Sequence, residues 1–327
     1  MYTKEELNIE GIRQWDLIKG DFKKSSILLG NGFSINFSDT LIYKNLYDFF
    51  ITKSSNESKK LFEAFDTRNF EKVLESIEVA KTVCATLNID TTAFENFKKE
   101  VREGLIDSIN TIHPRPISVD YDLVSTIAKQ FTDFNQIFTT NYDLFLYYIV
   151  LKTRRFGDHF FNKHSAKYMY YAEPDQMNSN HIYFLHGALF LFETGITTLK
   201  ILRPQDGWLL NRITDEIAQN NYPLFISEGK SEAKLKSIQS NRYLTFALNQ
   251  FQKCSDKNLV IYGHSLSEQD EHLVKIIDKS FEKIAISIRP QKLATIGELK
   301  AEKNRLSSYF KKAKFEFYDS STLFNFD

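Results

Sequence analysis

The chain has 327 residues, enough for one large domain or two ordinary ones and for a substantial buried core. It carries 42 Lys+Arg against 42 Asp+Glu, so no global field draws it to nucleic acid or to an anionic membrane. With 42% apolar and 26% charged residues it reads as a globular chain rather than a disordered one, and its 29 Phe and 16 Tyr supply large packing surfaces.

The N-terminal stretch MYTKEELNIEGIRQWDLIKG is charged and lacks the apolar segment of a secretory signal. The longest apolar run, 144–151, is far too short to cross a membrane, so the expectation is a cytoplasmic protein without membrane contact. The two cysteines, Cys84 and Cys254, are distant and form no CxxC pair, which argues against a disulfide framework and a thiolate zinc site; no metal is expected.

Six short runs, mostly β-branched or aromatic, read as buried parallel strands: Ser26–Leu29 (SILL), Gln136–Thr139 (QIFT), 182–185 (IYFL), 259–262 (LVIY), 284–288 (IAISI) and 314–318 (KFEFY). Helical patterns over 271–281 and 293–310 separate the last three. This alternation predicts an α/β fold, a doubly wound and mostly parallel Rossmann-like sheet formed by residues 20–39, 132–187 and 257–327 of a single domain. Two segments interrupt it. Residues 40–131 form a helical insertion, with Phe97, Val101, Leu105, Ile109 and Ile112 along one helix face and Phe70, Val73, Leu74 and Ile77 along another. Residues 188–256 form a smaller mixed insertion, with strand-like pieces at 189–192 and 224–227 and a helix over 242–251.

Each of four polar motifs follows a predicted strand, and in an open parallel sheet the carboxyl ends of the strands face one crevice. After SILL comes Gly30-Asn31-Gly32-Phe33-Ser34. Its glycines permit a tight turn and close approach to a phosphate, although Ile35 replaces the third glycine of a GxGxxG loop and a ligand-free turn is an equal reading. After QIF comes Thr139-Thr140-Asn141-Tyr142-Asp143. Asp143 suits a helix N-cap as well as a ligand contact, and the amide of Asn141 suits a ribose hydroxyl or a positioned water. After IYF comes Leu185-His186-Gly187. A lone strand-end histidine is more often structural, but beside two other polar strand ends His186 is a candidate general base. After LVIY comes Gly263-His264-Ser265, a turn suited to phosphate or ribose, with His264 either bonded to backbone or facing a ligand. Ser267 and Asp270 read as caps for the helix that follows.

In order and placement these motifs resemble those of sirtuins: GNGFS resembles their GAGxS loop, TTNYD their TQNxD motif, LHG their catalytic histidine segment and GHS their GTS motif. The chain departs from lysine deacylases in having no four-cysteine zinc module between LHG and GHS, where only Cys254 occurs, and in carrying the helical insertion. It is more similar to zinc-free, sirtuin-like NAD hydrolases of bacterial antiphage defence; Phe225-Ile226-Ser227-Glu228-Gly229, NRYLTFAL and IYGHSLSEQDEHL carry that likeness. The resemblance implies cleavage of NAD into nicotinamide and ADP-ribose, with NAD as substrate and NAD depletion as the outcome. Gly30, Asn31, Gly32 and Ser34 would hold the pyrophosphate, and Thr140 would line the same site. Asn141 would order the attacking water at the nicotinamide ribose, and Asp143 would bond the ribose or fix the loop. His186 would be the base, and Gly263, His264 and Ser265 would face the adenosine side. It further implies a homo-oligomer held inactive until it assembles, with a ring-shaped ATPase as a candidate partner. Alternatives are a non-catalytic NAD or ADP-ribose sensor and, disfavoured by the missing zinc module, a deacylase or ADP-ribosyl transferase.

Overall fold

The computed structural model describes residues 2–37, 46–113, 121–153, 155–161, 165–173, 180–195, 197–226, 231–324 and 326. Twelve strands occur among them: β1 (Ile12–Arg13), β2 (Ser26–Leu29), β3 (Gln136–Thr139), β4 (Phe160–Phe161), β5 (Tyr168–Tyr171), β6 (His181–Phe184), β7 (Gly187–Glu193), β8 (Thr198–Ile201), β9 (Pro223–Phe225), β10 (Asn258–Tyr262), β11 (Lys283–Ile288) and β12 (Lys314–Asp319). Seven form an all-parallel sheet in the order β1-β12-β11-β10-β2-β3-β6. Setting aside the two-residue edge strand β1, this is the order 3-2-1-4-5-6 of doubly wound dinucleotide-binding folds. The protein is thus a mixed α/β molecule with a Rossmann-like sheet.

The central strands are buried on both faces because their sequences are continuous apolar runs: Ile27, Leu28, Leu29, Ile137, Leu259, Val260 and Ile261 have no exposed surface. Phe138 of β3 and Tyr183 of β6 lie opposite each other in register and stack at 5.0 Å, pinning the pairing of β3 with β6. The chain leaves β2 towards β3 and β6 on one side, then returns to β2's other side to start β10. The sheet therefore reverses direction between β2 and β10, the place where open α/β sheets leave a crevice.

Between β2 and β3 lie the helices Leu46–Lys53, Asn56–Ala64, Phe70–Thr86, Thr92–Ile112 and Tyr121–Gln130. The longest buries Val101, Leu105, Ile109 and Ile112, the period expected of an amphipathic helix, and Phe97 packs half-buried beside them. Helix Phe70–Thr86 is capped by Asn69, whose side chain accepts from Lys72 N, and buries Phe70, Val73, Leu74 and Ile77. The tail alternates as its sequence suggests, with Glu271–Ser280 between β10 and β11 and Ile296–Ser307 between β11 and β12.

The other five strands form an antiparallel sheet, β4-β5-β8-β7-β9. Its strands β4 and β5 come from the aromatic stretch before β6, where Phe160 and Tyr171 are buried and Phe161 is half exposed. The chain crosses from the parallel sheet to the antiparallel one through Leu185-His186, and Gly187 turns the corner at φ +78°. No side chain fits there, because a Cβ on Gly187 would lie 2.0 Å from the Leu224 carbonyl oxygen. Among the described residues no helix is long and apolar enough to cross a membrane.

Candidate functional site

The loops after β2, β3, β6 and β10 surround one cleft of about 910 Å³ at the reversal point of the sheet. Gly30, Asn31, Gly32, Thr140, Asn141, Asp143, His186, Gly263, His264 and Ser265 all line it. Ser34 does not; it is fully buried beneath the floor.

The β2 and β10 loops lock together chiefly through main chain. Gly30 N donates to Tyr262 O at 3.0 Å and Gly32 N to Gly263 O at 2.8 Å, while Gly263 sits at φ +63°. A Cβ on Gly30 would lie 2.4 Å from His264 Cα, one on Gly32 2.7 Å from Gly263 Cα, and one on Gly263 2.6 Å from Phe33 N. The three glycines are therefore required for loop-to-loop contact. The Gly30 and Gly32 amides are already bonded, so they are not free donors for a bound anion; Asn31 and Ser265 are the exposed members of these loops.

Asn141 is held from two sides. Its Nδ2 donates to Gly30 O at 3.0 Å and to Ser34 Oγ at 2.9 Å. Because a carbonyl oxygen only accepts, this fixes the amide orientation. Both donors are used, and Oδ1, with no partner among the described residues, is the group Asn141 offers to the cleft. Ser34 Oγ in turn donates to Asp143 Oδ2 in a short bond, and Asp143 Oδ1 accepts from Phe145 N at 2.9 Å at the start of helix Phe145–Thr153. Asp143 is thus both helix cap and anchor for Asn141, and burial pushes its carboxyl above the usual carboxylate range against the pull of these bonds.

His186 lines the cleft beside the Asn141 loop, since Leu185 N donates to Thr139 O at 2.8 Å and Leu189 N to Tyr142 O at 2.9 Å. Its carbonyl accepts from Ile226 N at 2.7 Å, and its Nε2 lies 3.4 Å from His272 Nε2. Burial, helped by the Lys234 ammonium and opposed by Asp270, holds His186 well below the ordinary histidine range, so the ring is neutral at pH 7. His264 Nδ1 accepts from Leu266 N at 3.0 Å, and burial lowers this histidine too. The loop it belongs to carries a fully buried leucine, Leu266, at φ +46°, a conformation that disfavours a side chain. Arg305 reaches across from helix Ile296–Ser307 to hold that turn, donating to Ser265 O at 2.8 Å and Leu266 O at 3.1 Å.

Asp270 occupies the N-cap position of helix Glu271–Ser280 without capping it. Its carboxylate instead receives Lys234 Nζ at 2.8 Å in an ion pair buried in the cleft wall. Burial alone would raise the carboxyl, but His264, Lys234 and His186 override it and bring the pKa down to about 2. Lys234, His272 and Arg305 are site residues that motif reading misses. A lysine inside Ser231–Ser240 looks like any solvated helix position, and His272 and Arg305 lie within helical patterns whose facing is not visible in sequence. The nearest signal is the density of polar residues in GHSLSEQDEH. Residues 227–229 of the FISEG segment fall outside the described residues. Among the described residues no group of three or more His, Cys, Asp and Glu is placed to hold a metal ion.

No curated protein matches the chain. A family model described as a domain of unknown function, DUF4917, matches residues 27–324, from β2 through the whole cleft to the end of the sheet, and the chain belongs to that family.

Proposed function

We propose that the protein is a zinc-free, sirtuin-like NAD glycohydrolase that splits the nicotinamide–ribose bond to give nicotinamide and ADP-ribose. The observation that carries the reading is the presence, at neighbouring strand ends in one cleft at the sheet's reversal point, of a fixed amide acceptor, Asn141 Oδ1, and a neutral imidazole, His186. The cleft volume is in the range that takes up nucleotide-sized ligands. Asn141 can only accept here, which suits a water or ribose hydroxyl and not a carbonyl. Departure of neutral nicotinamide leaves an oxocarbenium-like sugar. Water ordered by Asn141 attacks it and gives its proton to His186, so that NAD and water become nicotinamide, ADP-ribose and a proton. A neutral base is available at pH 7 without prior deprotonation, and a negatively charged pyrophosphate nearby raises its proton affinity towards the useful range. Asn31 and Ser265 are the exposed groups placed to meet the phosphates, while Arg305 at the rim is paired with Glu302 and holds the Ser265 turn.

The same reading extends to context. The enzyme would act in the cytoplasm as an NAD-depleting effector of antiphage defence, restrained until it oligomerises or joins a partner such as a ring-shaped ATPase. A partner that switches it from about 1:99 to 99:1 must favour the active state by about 5.5 kcal/mol.

The test is nicotinamide release from NAD by the pure protein, at several concentrations and with candidate partners. Asn141→Ala and His186→Ala are each expected to lower turnover at least about 100-fold, the scale of a lost general base. A folded His186→Ala protein with full activity sinks the assignment. Tight ADP-ribose binding with no turnover under any condition favours the sensor alternative.

A further inference from the structure

His186 and His272 meet inside the cleft wall. Their Nε2 atoms are 3.4 Å apart, while the ring centroids are 5.6 Å apart and the planes 28° from parallel. A centroid separation that much larger than the N···N distance means the rings point at each other through their Nε2 corners rather than lying face to face. Two imidazole nitrogens so placed attract only when one carries a proton and the other a lone pair. The far nitrogen of His272, Nδ1, lies 3.0 Å from Ser231 Oγ, which also accepts the His272 main-chain N–H at 2.8 Å. The far nitrogen of His186, Nδ1, has no bonding partner among the described residues and is not one of the enclosed atoms left without one, so it opens on the cleft.

We infer that His272 is a positioning residue for His186. With its own proton on Nδ1, held by Ser231, it offers a lone pair at Nε2; this keeps the His186 proton on Nε2 and leaves His186 Nδ1 bare towards the cleft. The inference rests on the reading of His186 as a base, and it is consistent through the whole proton transfer. A water or hydroxyl in the cleft loses its proton to His186 Nδ1: an O–H bond breaks, an N–H bond forms, and both nitrogens of the ring become donors. The Nε2–H still meets the His272 lone pair, so His272 keeps one tautomer throughout, and the proton later leaves from Nδ1 to solvent. The reverse arrangement, with Ser231 donating to His272 and His272 donating to His186, puts a proton on His186 Nδ1 and turns the base into a donor.

The other titratable and charged groups facing His186 are Lys234, Asp270 and His264. Lys234 and Asp270 already satisfy each other. A second neutral ring therefore orients His186 where a carboxylate does so in Ser-His-Asp triads, and it adds no charge to a wall that already holds an ion pair.

The test begins without substrate. The full chain is labelled with ¹⁵N-histidine, and two-bond ¹H–¹⁵N spectra at neutral pH, assigned through single-histidine variants, report which nitrogen of each ring carries hydrogen. The expected result is Nε2–H for His186 and Nδ1–H for His272. His272→Phe keeps a ring but no acceptor. In this variant His186 should become a mixture of tautomers, and nicotinamide release should fall about 10- to 100-fold, the usual range for an orienting neighbour, with little change in KM. His272→Gln, whose Oε1 can accept from His186, should restore most of the rate. If His272→Phe does not fold, Ser231→Ala should shift the tautomer of His272 and, with it, that of His186. A wild-type spectrum with hydrogen on His186 Nδ1, or a His186 tautomer indifferent to these variants, overturns the inference whether or not NAD is cleaved. The expected tautomers in a protein that leaves NAD intact would remove the glycohydrolase reading and leave the positioning role standing.

Discussion

Ser34 shows how much of a cleft depends on atoms that never reach it. Its hydroxyl accepts from Asn141 and donates to Asp143, so it ties the amide to the capped end of helix Phe145–Thr153. Ser34→Ala leaves Asp143 Oδ2 without its donor and Asn141 with one anchor. A loss of about 1–3 kcal/mol in stability is expected and, under the proposed glycohydrolase reading, a fall in NAD turnover larger than any change in KM. Urea denaturation and steady-state kinetics read these separately, and an unchanged rate in a destabilised protein would show that Gly30 alone holds the amide. Gly187→Ala forces a Cβ against the Leu224 carbonyl at a positive φ and is expected to cost more than about 3 kcal/mol, whereas Gly20→Ala, which meets nothing within 4 Å, should be nearly neutral. Equal melting temperatures for the two variants would refute the close approach. Sequence reading leaves Asp143 open between cap and ligand contact; its two carboxylate oxygens do separate jobs, one capping and one anchoring, which a motif does not reveal.

Helix Ser231–Ser240 and the start of helix Glu271–Ser280 are joined across the cleft wall by Lys234 and Asp270, whose side chains are 6% and 11% exposed. Removing either partner strands a buried charge. Lys234→Met and Asp270→Asn should each destabilise by about 3–5 kcal/mol, while Lys234→Met combined with Asp270→Leu should cost much less than the sum. Additive losses in a double-mutant cycle would mean that the two groups do not interact. Elements are legible in sequence where burial writes a pattern. The apolar runs at β2, β3, β6, β10 and β11 stand out because both faces are covered, β12 is legible from its aromatic residues although its first half is partly exposed, and the alternation of these strands with helices implies that four strand ends share one crevice. Ile12–Arg13 is not legible, since two residues carry no period. Strands β4 and β5 are hidden for another reason: FF and YMYY are large apolar or aromatic residues at every position and give no in–out alternation from which to infer a partner. The Lys234–Asp270 contact depends on how two helices face each other, and that is set by packing between segments far apart in the chain.

For the whole molecule the buried histidines set the response to acid. Burial lowers His113, His159 and His272 to about 4, against an ordinary value of 6.5. These rings are neutral when folded and take up protons when unfolded, so the unfolded chain binds more protons between pH 6.5 and about 4. Their contribution is fully present above that window and is lost as the pH falls through it, several kcal/mol in all at about 1.4 kcal/mol per tenfold change in proton affinity. Asp270 acts lower: its contribution is present above 3.8 and disappears as the pH falls towards about 2. The urea midpoint is therefore expected to drop well before carboxylates titrate, and a flat midpoint between about pH 7 and about pH 5 would show that these rings are not held neutral. The pairing of β2 with β10 has a consequence in time. Ser26 to Leu29 lie beside Leu259 to Tyr262, so the ring of loops closes only when segments more than two hundred residues apart in the chain meet. Such a distant closure is slow and comes late in folding. A nascent chain that has emerged only as far as His186 owns Gly30, Asn141 and His186 but lacks the β10 loop that clasps the first of them, so the cleft is complete only once the last third of the chain is made.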